Sequence, residues 1–198
     1  SEFALGALIA QSPESFFESS PLVLEALAST LEILRSQSES AGMPEFIGRS
    51  LRVEGMLRQL RAMAATHFPI LILGETGTGK ELLASAAHRF SPRSDGPFVI
   101  CAVPELSPTL FEGELRGHEK GSFTGATETH AGFFEQAEGG TLFIDEIGEM
   151  DLNLQAKFLR LIEFLEVRRI GGRESRRHDV RIVAATNVKL DEAVAAGR

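Results

Sequence analysis

A glycine-rich loop between a short apolar run and a helical stretch constrains the fold of this chain more than any other feature. The run Pro69–Leu73 is bounded by Pro and Gly, which predicts a buried strand. The stretch Leu82–His88 has helical character. Between them stand Gly74, Glu75, Thr76, Gly77, Thr78, Gly79, Lys80 and Glu81. Strand, glycine loop and helix in this order predict an α/β fold built on a parallel sheet.

This loop has the composition of a phosphate-binding loop. Its glycines let backbone N–H groups turn inward around phosphates, and the following helix adds the positive end of its dipole. Lys80 brings a full charge to a γ-phosphate. The Ser or Thr that usually follows the lysine and ligates Mg²⁺ is Glu81 here. A chance match to the phosphate-loop motif is the alternative interpretation, but the segment before the loop has strand character and the segment after it has helical character, as the motif requires.

A second predicted strand, Thr141–Ile144, ends in the two carboxylates Asp145 and Glu146. Ligands of doubly wound folds bind at the carboxyl edge of the sheet, where both side chains should lie. In that position Asp145 would hold Mg²⁺ through water, and Glu146 would orient or deprotonate an attacking water. Without the upstream loop, the same pair would be read as a solvated turn.

A third predicted strand, within Val180–Thr186, ends in the amide Asn187. Asn187 is placed to sense a γ-phosphate or to position the attacking water. A strand-terminal Asn is also a common turn former, so this prediction depends on its order after the other two motifs.

A short segment lies about forty residues beyond the phosphate loop and about twenty before the acidic strand. Its residues are Gly121, Ser122, Phe123, Thr124, Gly125 and Ala126. Alone, this hexapeptide is a glycine-flanked turn with an aromatic tip, and most such turns are structural. Its position between the two nucleotide motifs is what indicates a function.

These motifs together resemble the AAA+ domain of bacterial enhancer-binding proteins, the NtrC-type activators of sigma-54 RNA polymerase. The resemblance runs from about Pro44 to Arg198 and includes Gly117–Lys120 before the hexapeptide, Gly139–Met150 and Ala184–Asn187. Such domains usually carry Glu at the position of Glu81. The resemblance as a whole implies the family's fold, a doubly wound parallel sheet with flanking helices.

The same resemblance implies an ATPase that uses ATP and Mg²⁺ to remodel sigma-54 holoenzyme so that promoter DNA can open. The hexapeptide would be the sigma-54-contacting loop, with Phe123 and Thr124 touching sigma-54. It also implies a hexameric or heptameric ring and enhancer DNA bound through a domain outside this chain. A cytoplasmic location is expected on separate grounds, because no membrane span or signal peptide is visible in the sequence.

Three positions depart from the family pattern. Ala102 stands where an Asn usually hydrogen-bonds the catalytic Glu, Arg116 stands where an aromatic residue usually precedes Gly-His-Glu, and Ser122 replaces the usual Ala. The first two departures bear on coupling between nucleotide and sigma-54 more than on nucleotide binding.

Composition agrees with one α/β domain. The 198 residues are 43% apolar, which is enough for one core but not for a second full domain. The single Cys101 excludes a disulfide framework and is expected to be buried packing in a reducing compartment. No apolar run approaches the ~18 residues of a membrane span, and the histidines lack metal-ligand spacing.

The net charge of −8 argues against broad nucleic-acid binding. One basic cluster around Gly171 and Gly172 is an exception. It consists of Arg168, Arg169, Arg173, Arg176, Arg177, His178 and Arg181. A solvated loop is the simpler interpretation. The resemblance places a second insertion loop here, so contact with promoter DNA or sigma-54 is the functional alternative.

Residues 1–43 are predicted to be the end of a sensory domain and a linker helix, and residues 44–198 the ATPase. Phe3–Ala10 has strand character, and Ser19–Pro21 resembles a helix start. A narrow apolar stripe follows at Leu24, Leu27, Leu31 and Leu34, which suits pairing of two helices in a dimer. Strand followed by helix resembles the end of a GAF domain, and residues 36–43 read as a linker.

Activators of this kind carry two trans-acting arginines and a helical lid beyond the position of Arg198. We therefore expect a fragment of the α/β half, nearly inactive alone. A second hypothesis is a nucleotide-dependent interaction module with little hydrolysis, which Ala102 favours. A generic P-loop kinase or transporter ATPase is disfavoured because neither calls for residues 121–126.

Overall fold

The computed structural model describes residues 6–10, 51–105, 108–123 and 125–197. The predicted linker helix with its leucine stripe lies outside the described residues, and so does Thr124 of the hexapeptide. Within the described ranges, no helix has the length and apolar character needed to cross a membrane.

The chain forms a five-stranded parallel sheet with two small antiparallel pairs. The strands are β1 (Gly6–Ala10), β2 (Ile70–Gly74), β3 (Phe98–Ala102), β4 (Gly117–His118), β5 (His130–Ala131), β6 (Thr141–Asp145), β7 (Glu166–Arg168), β8 (Ser175–Arg177) and β9 (Arg181–Thr186). The large sheet has the order β1-β2-β9-β6-β3, and β4 pairs with β5 as β7 does with β8. Apart from β1 and β2, strands that are neighbours in the large sheet are not consecutive in the chain, so crossovers connect them, as in doubly wound folds.

Helices connect these strands. They are α1 (Leu51–Ala64), α2 (Lys80–Arg89), α3 (Pro108–Arg116), α4 (Phe133–Gln136), α5 (Leu152–Phe164) and α6 (Leu190–Ala195), with 3₁₀ turns at Val103–Glu105 and Ile147–Glu149. The predicted helix after the phosphate loop is confirmed as α2, which begins at Lys80 itself.

The sheet is covered on both faces, which explains why its strands are apolar runs without polar alternation. In β6, Phe143 points to a core formed with α1 and α2, whereas Leu142 and Ile144 point to a second core formed with α3 and α5. All three are fully buried. The carboxyl ends of β2, β6 and β9 share one edge, because β9 pairs in parallel with both β2 and β6.

The strand predicted at Phe3–Ala10 is present at Gly6–Ala10. It pairs in parallel with β2 along its whole length, from Gly6 opposite Ile70 to Ala10 opposite Gly74. This pairing makes β1 the edge strand of the sheet that carries the phosphate loop. The assignment of residues 1–43 to a sensory domain stays a prediction.

Candidate functional site

The phosphate loop turns sharply between β2 and α2. Gly77 and Gly79 both have left-handed backbones, with φ of 81° and 82°, and a Cβ on Gly77 would meet nothing within 4 Å. The Thr78 backbone N–H and hydroxyl both donate to the Glu75 carbonyl, at 3.3 and 2.8 Å. The loop is therefore a preformed concave turn opening at the amino end of a helix, which is the geometry that binds anionic groups.

Lys80 is the first residue of α2, and its side chain is only 7% exposed. Its Nζ lies 3.0 Å from Glu146 Oε1 and also donates to the Glu75 carbonyl at 3.3 Å. A buried ammonium requires such partners. The cation is therefore held at the mouth of the loop and directed toward the carboxyl edge of the sheet.

Asp145 ends β6, and Glu146 follows in a left-handed conformation with φ of 53°. The Glu146 N–H donates to Asp145 Oδ1 at 3.0 Å. Burial, and then the neighbouring Glu146 charge, raise the pKa of Asp145. Two adjacent carboxylates that face one lysine make a site suited to a cation.

The end of β9 reaches the same place. The Asn187 N–H donates to Glu146 Oε2 at 2.9 Å, and its Nδ2 donates to Thr76 Oγ1 at 3.1 Å. Asn187 thus connects the acidic pair to the phosphate loop. The contact with Thr76 was not predicted, because only the tertiary fold brings positions so distant in sequence together.

The structure therefore brings the predicted nucleotide residues together at one edge of the sheet. Lys80, Glu146 and Asn187 are directly linked, and Asp145 is linked through the Glu146 backbone. Glu81, in the first turn of α2, is exposed and has no close contact with them among the described residues. The arrangement can bind a phosphate chain and place a carboxylate beside an attacking water.

The described residues of the hexapeptide, 121–123 and 125–126, lie at the tip of a separate hairpin based on β4 and β5. The Gly121 N–H donates to the Ala126 carbonyl at 2.8 Å, which closes the loop. Gly121 and Gly125 have left-handed φ of 78° and 104°. Phe123 is 51% exposed, although its ring makes an edge contact with His118 at 5.0 Å between centroids. An aromatic side chain is thereby presented to solvent on a hydrogen-bonded turn.

Most of the basic cluster, which the sequence analysis interpreted as a solvated loop, lies on the β7–β8 hairpin. It packs beside the hexapeptide. The Ile170 N–H donates to the Gly117 carbonyl at 2.9 Å, and the Glu119 N–H donates to the Ile170 carbonyl at 3.0 Å. A Cβ on Gly171 would lie 2.6 Å from the Ser122 Cβ. The two hairpins are in direct contact.

Arg169 anchors this junction, a role that sequence reasoning missed. Its guanidinium contacts Glu119 at 3.0 Å and Glu135 at 2.6 Å. These contacts raise the pKa of Arg169, chiefly through Glu135, and the Arg169 hydrogen bond is the first cause of a lowered pKa at Glu119. Arg116 adds a hydrogen bond from its Nε to the Arg168 carbonyl at 2.8 Å. In the sequence, only the presence of acidic residues such as Glu119 and Glu135 could have indicated that Arg169 has ion-pair partners.

Arg181 does not belong to the exposed cluster in which the sequence analysis placed it. It begins β9, is 3% exposed, and donates to the carbonyls of Met63 and Ala64 at the end of α1. Helix carbonyls at a carboxyl terminus lack intrahelical donors, so the guanidinium completes their hydrogen bonding. Its role is to join a helix to the sheet.

Two other sequence positions are explained by the fold. Ala102 ends β3 directly opposite Asp145, so the missing amide would have faced the acidic edge. Cys101 is fully buried, and burial raises its pKa to about 12, which leaves the thiol unreactive. The expectation that Cys101 is packing is confirmed.

Comparison with known families gives a match over most of the chain. A family model described as the sigma-54 interaction domain matches residues 46–198. The chain is 46% identical over 179 residues to a Nif-specific regulatory protein of Rhodobacter capsulatus, covering 87% of this chain and 31% of that protein. It is 44% identical to the anaerobic nitric oxide reductase transcription regulator NorR of Aeromonas salmonicida, covering 91% and 36%. The chain spans about a third of the length of these relatives.

Solved structures give the same fold. The crystal structure of NtrX from Brucella abortus in complex with ATP aligns with a TM-score of 0.69 and 35% identity, covering 89% of this chain and 40% of that chain. The corresponding ADP complex aligns equally well. A parallel-sheet α/β fold of the P-loop type is confirmed.

Proposed function

The chain belongs to the sigma-54 interaction domain family, and we propose that it is the ATP-driven part of a transcriptional activator that remodels sigma-54 RNA polymerase holoenzyme. One observation carries the proposal. A linked set of Lys80, Glu146 and Asn187 lies beside a preformed phosphate loop, in a domain that also presents the exposed Phe123.

ATP fits the residues that are present. The open left-handed turn at Gly77 and Gly79 leaves room for a phosphate beside backbone N–H groups, and Lys80 lies at its mouth. ATP binding would draw Lys80 away from Glu146 toward the phosphates. That exchange replaces one charge partner by another and leaves the Glu146 carboxylate available.

Magnesium also fits. Asp145 and Glu146 are adjacent carboxylates, and the pKa of Asp145 is raised by burial and by the Glu146 charge. A divalent cation near Asp145 would offset this repulsion and, when bound, would neutralise charge on the phosphates. We infer that Asp145 holds the ion through water, because the loop position that usually ligates it directly is Glu81.

Hydrolysis would depend on Glu146 and Asn187. The Glu146 carboxylate accepts a hydrogen bond from the Asn187 backbone N–H, and this bond fixes the orientation of the carboxylate at the sheet edge. In this orientation Glu146 would accept a proton from the attacking water. The Asn187 side-chain amide, which here donates a hydrogen bond to Thr76, would respond to the presence of a γ-phosphate and transmit that change to β9.

The hexapeptide is proposed as the sigma-54 contact, with Phe123 and Thr124 as the contacting side chains. An exposed aromatic group on a hydrogen-bonded turn is a typical anchor for a protein partner. Along the chain, β3 leads through α3 to β4, which begins the hexapeptide hairpin, and we propose that the nucleotide state is transmitted to the hexapeptide along this segment.

A second candidate function is a nucleotide-dependent interaction module with little hydrolysis. Ala102 favours it, because an alanine opposite Asp145 gives the acidic edge no side-chain hydrogen bond from β3. We further propose the finer features that the family resemblance and the sequence pattern imply. These are a preceding GAF-like segment, dimerisation through the N-terminal helix, a hexameric or heptameric ring in the intact protein, enhancer DNA binding elsewhere in it, and a cytoplasmic location.

The deciding experiment compares Thr124→Ala with Thr127→Ala in the intact protein. Both changes remove the same atoms, but Thr127 lies just outside the hexapeptide. Thr124→Ala should abolish nucleotide-dependent capture of sigma-54 while leaving ATPase activity within a few-fold of normal, and Thr127→Ala should change neither. Capture of sigma-54 by the Thr124→Ala protein would make the loop purely structural. Absence of ATPase activity in the unmodified protein would favour the interaction module.

A further inference from the structure

Phe123 stands at the end of a row of three rings that continues into the base of its hairpin. We infer that the other two rings, His118 and His130, are positioning residues for the sigma-54 contact. Their stacked rings hold Phe123 in the exposed orientation in which it would meet its partner. The inference rests on the proposed function and assigns a role to two histidines that belong neither to the nucleotide site nor to the hexapeptide.

The three rings contact one another in turn. The Phe123 and His118 rings meet edge to face, with centroids 5.0 Å apart and an angle of 63° between the ring planes. His118 in turn stacks on His130, with centroids 5.4 Å apart and an angle of 26°. Both distances lie within the range of roughly 4.5–7 Å over which aromatic pairs attract each other, and both arrangements are favoured ones. The row can therefore restrain the Phe123 side chain.

The pairing of β4 with β5 brings the two histidines together. His118 lies directly opposite His130 in this antiparallel pair, next to the pair formed by Gly117 and Ala131. Side chains directly opposite each other on antiparallel strands project from the same face, so the two imidazoles meet. The stack is thus set by the strand register of the hairpin that carries the hexapeptide.

His130 is anchored at the end of the row that is far from Phe123. Its Nε2 lies 3.0 Å from Glu114 Oε2, and Glu114 belongs to α3. This hydrogen bond restrains rotation of the imidazole, because it fixes the direction of one ring nitrogen. The side chains therefore form a continuous connection from α3 to the tip of the hairpin.

The backbone of the hairpin has other supports. The Gly121 N–H closes the tip on the Ala126 carbonyl at 2.8 Å, and the Ile170 N–H holds the base through the Gly117 carbonyl at 2.9 Å. Backbone bonds do not select the rotamer of Phe123, which is 51% exposed. A partner that bound a freely rotating ring would lose affinity by immobilising it, whereas a ring that is already held avoids this loss. The histidines supply that restraint.

The first measurement tests the row of rings in solution and needs neither ATP nor sigma-54. The chain contains five histidines, so their ring-proton NMR signals can be assigned by single substitutions. Phe123→Leu removes the aromatic ring beside His118 and should shift the His118 signals. The signals of His67 and His88, which lie elsewhere in the fold, should stay in place and show that the variant is folded. Unchanged His118 signals would overturn the inference.

The second measurement is the dissociation constant for nucleotide-dependent capture of sigma-54 by the intact protein. His118 takes part in two ring pairs, so His118→Ala should weaken capture by about tenfold or more. His118→Phe keeps a ring in the row and should bring capture back to within about threefold of normal. ATPase activity of both variants should stay within about twofold of normal, because the row lies outside the nucleotide site. The control His67→Ala removes an exposed histidine and should change neither quantity.

His130 is expected to act through His118. His130→Ala should therefore weaken capture about threefold in the unmodified protein but less than about 1.5-fold when His118→Ala is already present. Full additivity would make His130 a separate structural support and overturn its positioning role. Normal capture by His118→Ala, or loss of capture by folded His118→Phe, would overturn the inference while leaving the proposed function in place. Absence of capture by the unmodified protein would refute the proposed function itself, and this inference with it.

Discussion

Lys80 and Glu146 form a 3.0 Å ion pair between the loop that would bind phosphate and the carboxylate that would activate water. In this pair each charged group is the main partner of the other, since the lysine is only 7% exposed and has few alternative partners. Nucleotide binding has to separate them. The pair thereby makes the two proposed steps, phosphate capture and water activation, depend on one displacement of Lys80.

Substitutions in this pair should have opposite effects on ATP affinity. Lys80→Ala removes the only full positive charge at the loop and should weaken ATP binding by about 100-fold or more. Glu146→Gln releases the lysine, so ATP should bind at least as tightly as to the unmodified protein. Turnover by the intact Glu146→Gln protein should fall by about 10²–10⁴-fold, because the proton acceptor is lost.

Calorimetric titration with Mg-ATP and a phosphate-release assay measure these two effects. Normal ATP affinity in Lys80→Ala would contradict the phosphate-loop assignment. Tight binding together with normal turnover in Glu146→Gln would move the water-activating role to another group.

Ala102 gives a direct test of coupling. Ala102→Asn places an amide opposite Asp145, where it can reach the acidic edge of β6. We expect sigma-54 capture by the intact protein to become more dependent on nucleotide, by about fivefold or more. Ala102→Leu is the matched control, because leucine has the shape of asparagine without its hydrogen bonds. If both variants behave like the unmodified protein, another residue carries the coupling.

Local sequence patterns were enough to predict the phosphate loop, the acidic strand end and Asn187. Each is a strand followed by a turn, and the parallel sheet then brings the three turns to one edge. The contacts between them could not be predicted. Whether Lys80 reaches Glu146, and Asn187 reaches Thr76, depends on side-chain placement across strands far apart in sequence.

The basic cluster shows the other limit of sequence reasoning. Arg169, Arg177 and Arg181 look equivalent along the chain, yet one is neutralised by two glutamates, one is exposed, and one is buried under α1. Strand alternation and tertiary partners decide among these environments. Only the exposed members can contact a ligand or partner.

His88 should make stability fall in mild acid. It is 6% exposed on α2, with Nδ1 2.9 Å from Thr141 Oγ1, and burial lowers its pKa below the ordinary 6.5. Below that pH the unfolded chain takes up a proton that the folded chain refuses. The free energy of unfolding therefore loses up to about 1.4 kcal/mol per pH unit as the pH falls from 6.5 toward the folded-state pKa.

Urea unfolding of the chain at pH 7.5 and pH 5.5 measures this loss. His88→Asn keeps a hydrogen-bonding group but cannot titrate, so its stability should change less between the two pH values. His67→Asn removes an exposed histidine and serves as the control. Identical pH dependence in His88→Asn and the unmodified chain would show that His88 does not contribute.

Contact between Gly171 and Ser122 should matter for sigma-54 capture but not for nucleotide binding. In Gly171→Ala, the new Cβ would lie 2.6 Å from the Ser122 Cβ, so Ser122 or the Gly171 backbone must move and the contact between the two hairpins changes. Gly139→Ala is the matched control, because φ is similarly left-handed, 73° against 76°, while its Cβ would meet nothing within 4 Å. Both variants bear a backbone cost of about 1–2 kcal/mol. Only Gly171→Ala should reduce sigma-54 capture by the intact protein, about tenfold, with ATP affinity within twofold of normal. Pull-down with a nucleotide analogue and calorimetry measure the two quantities, and equal capture by both variants would show that the β7–β8 hairpin does not position the hexapeptide.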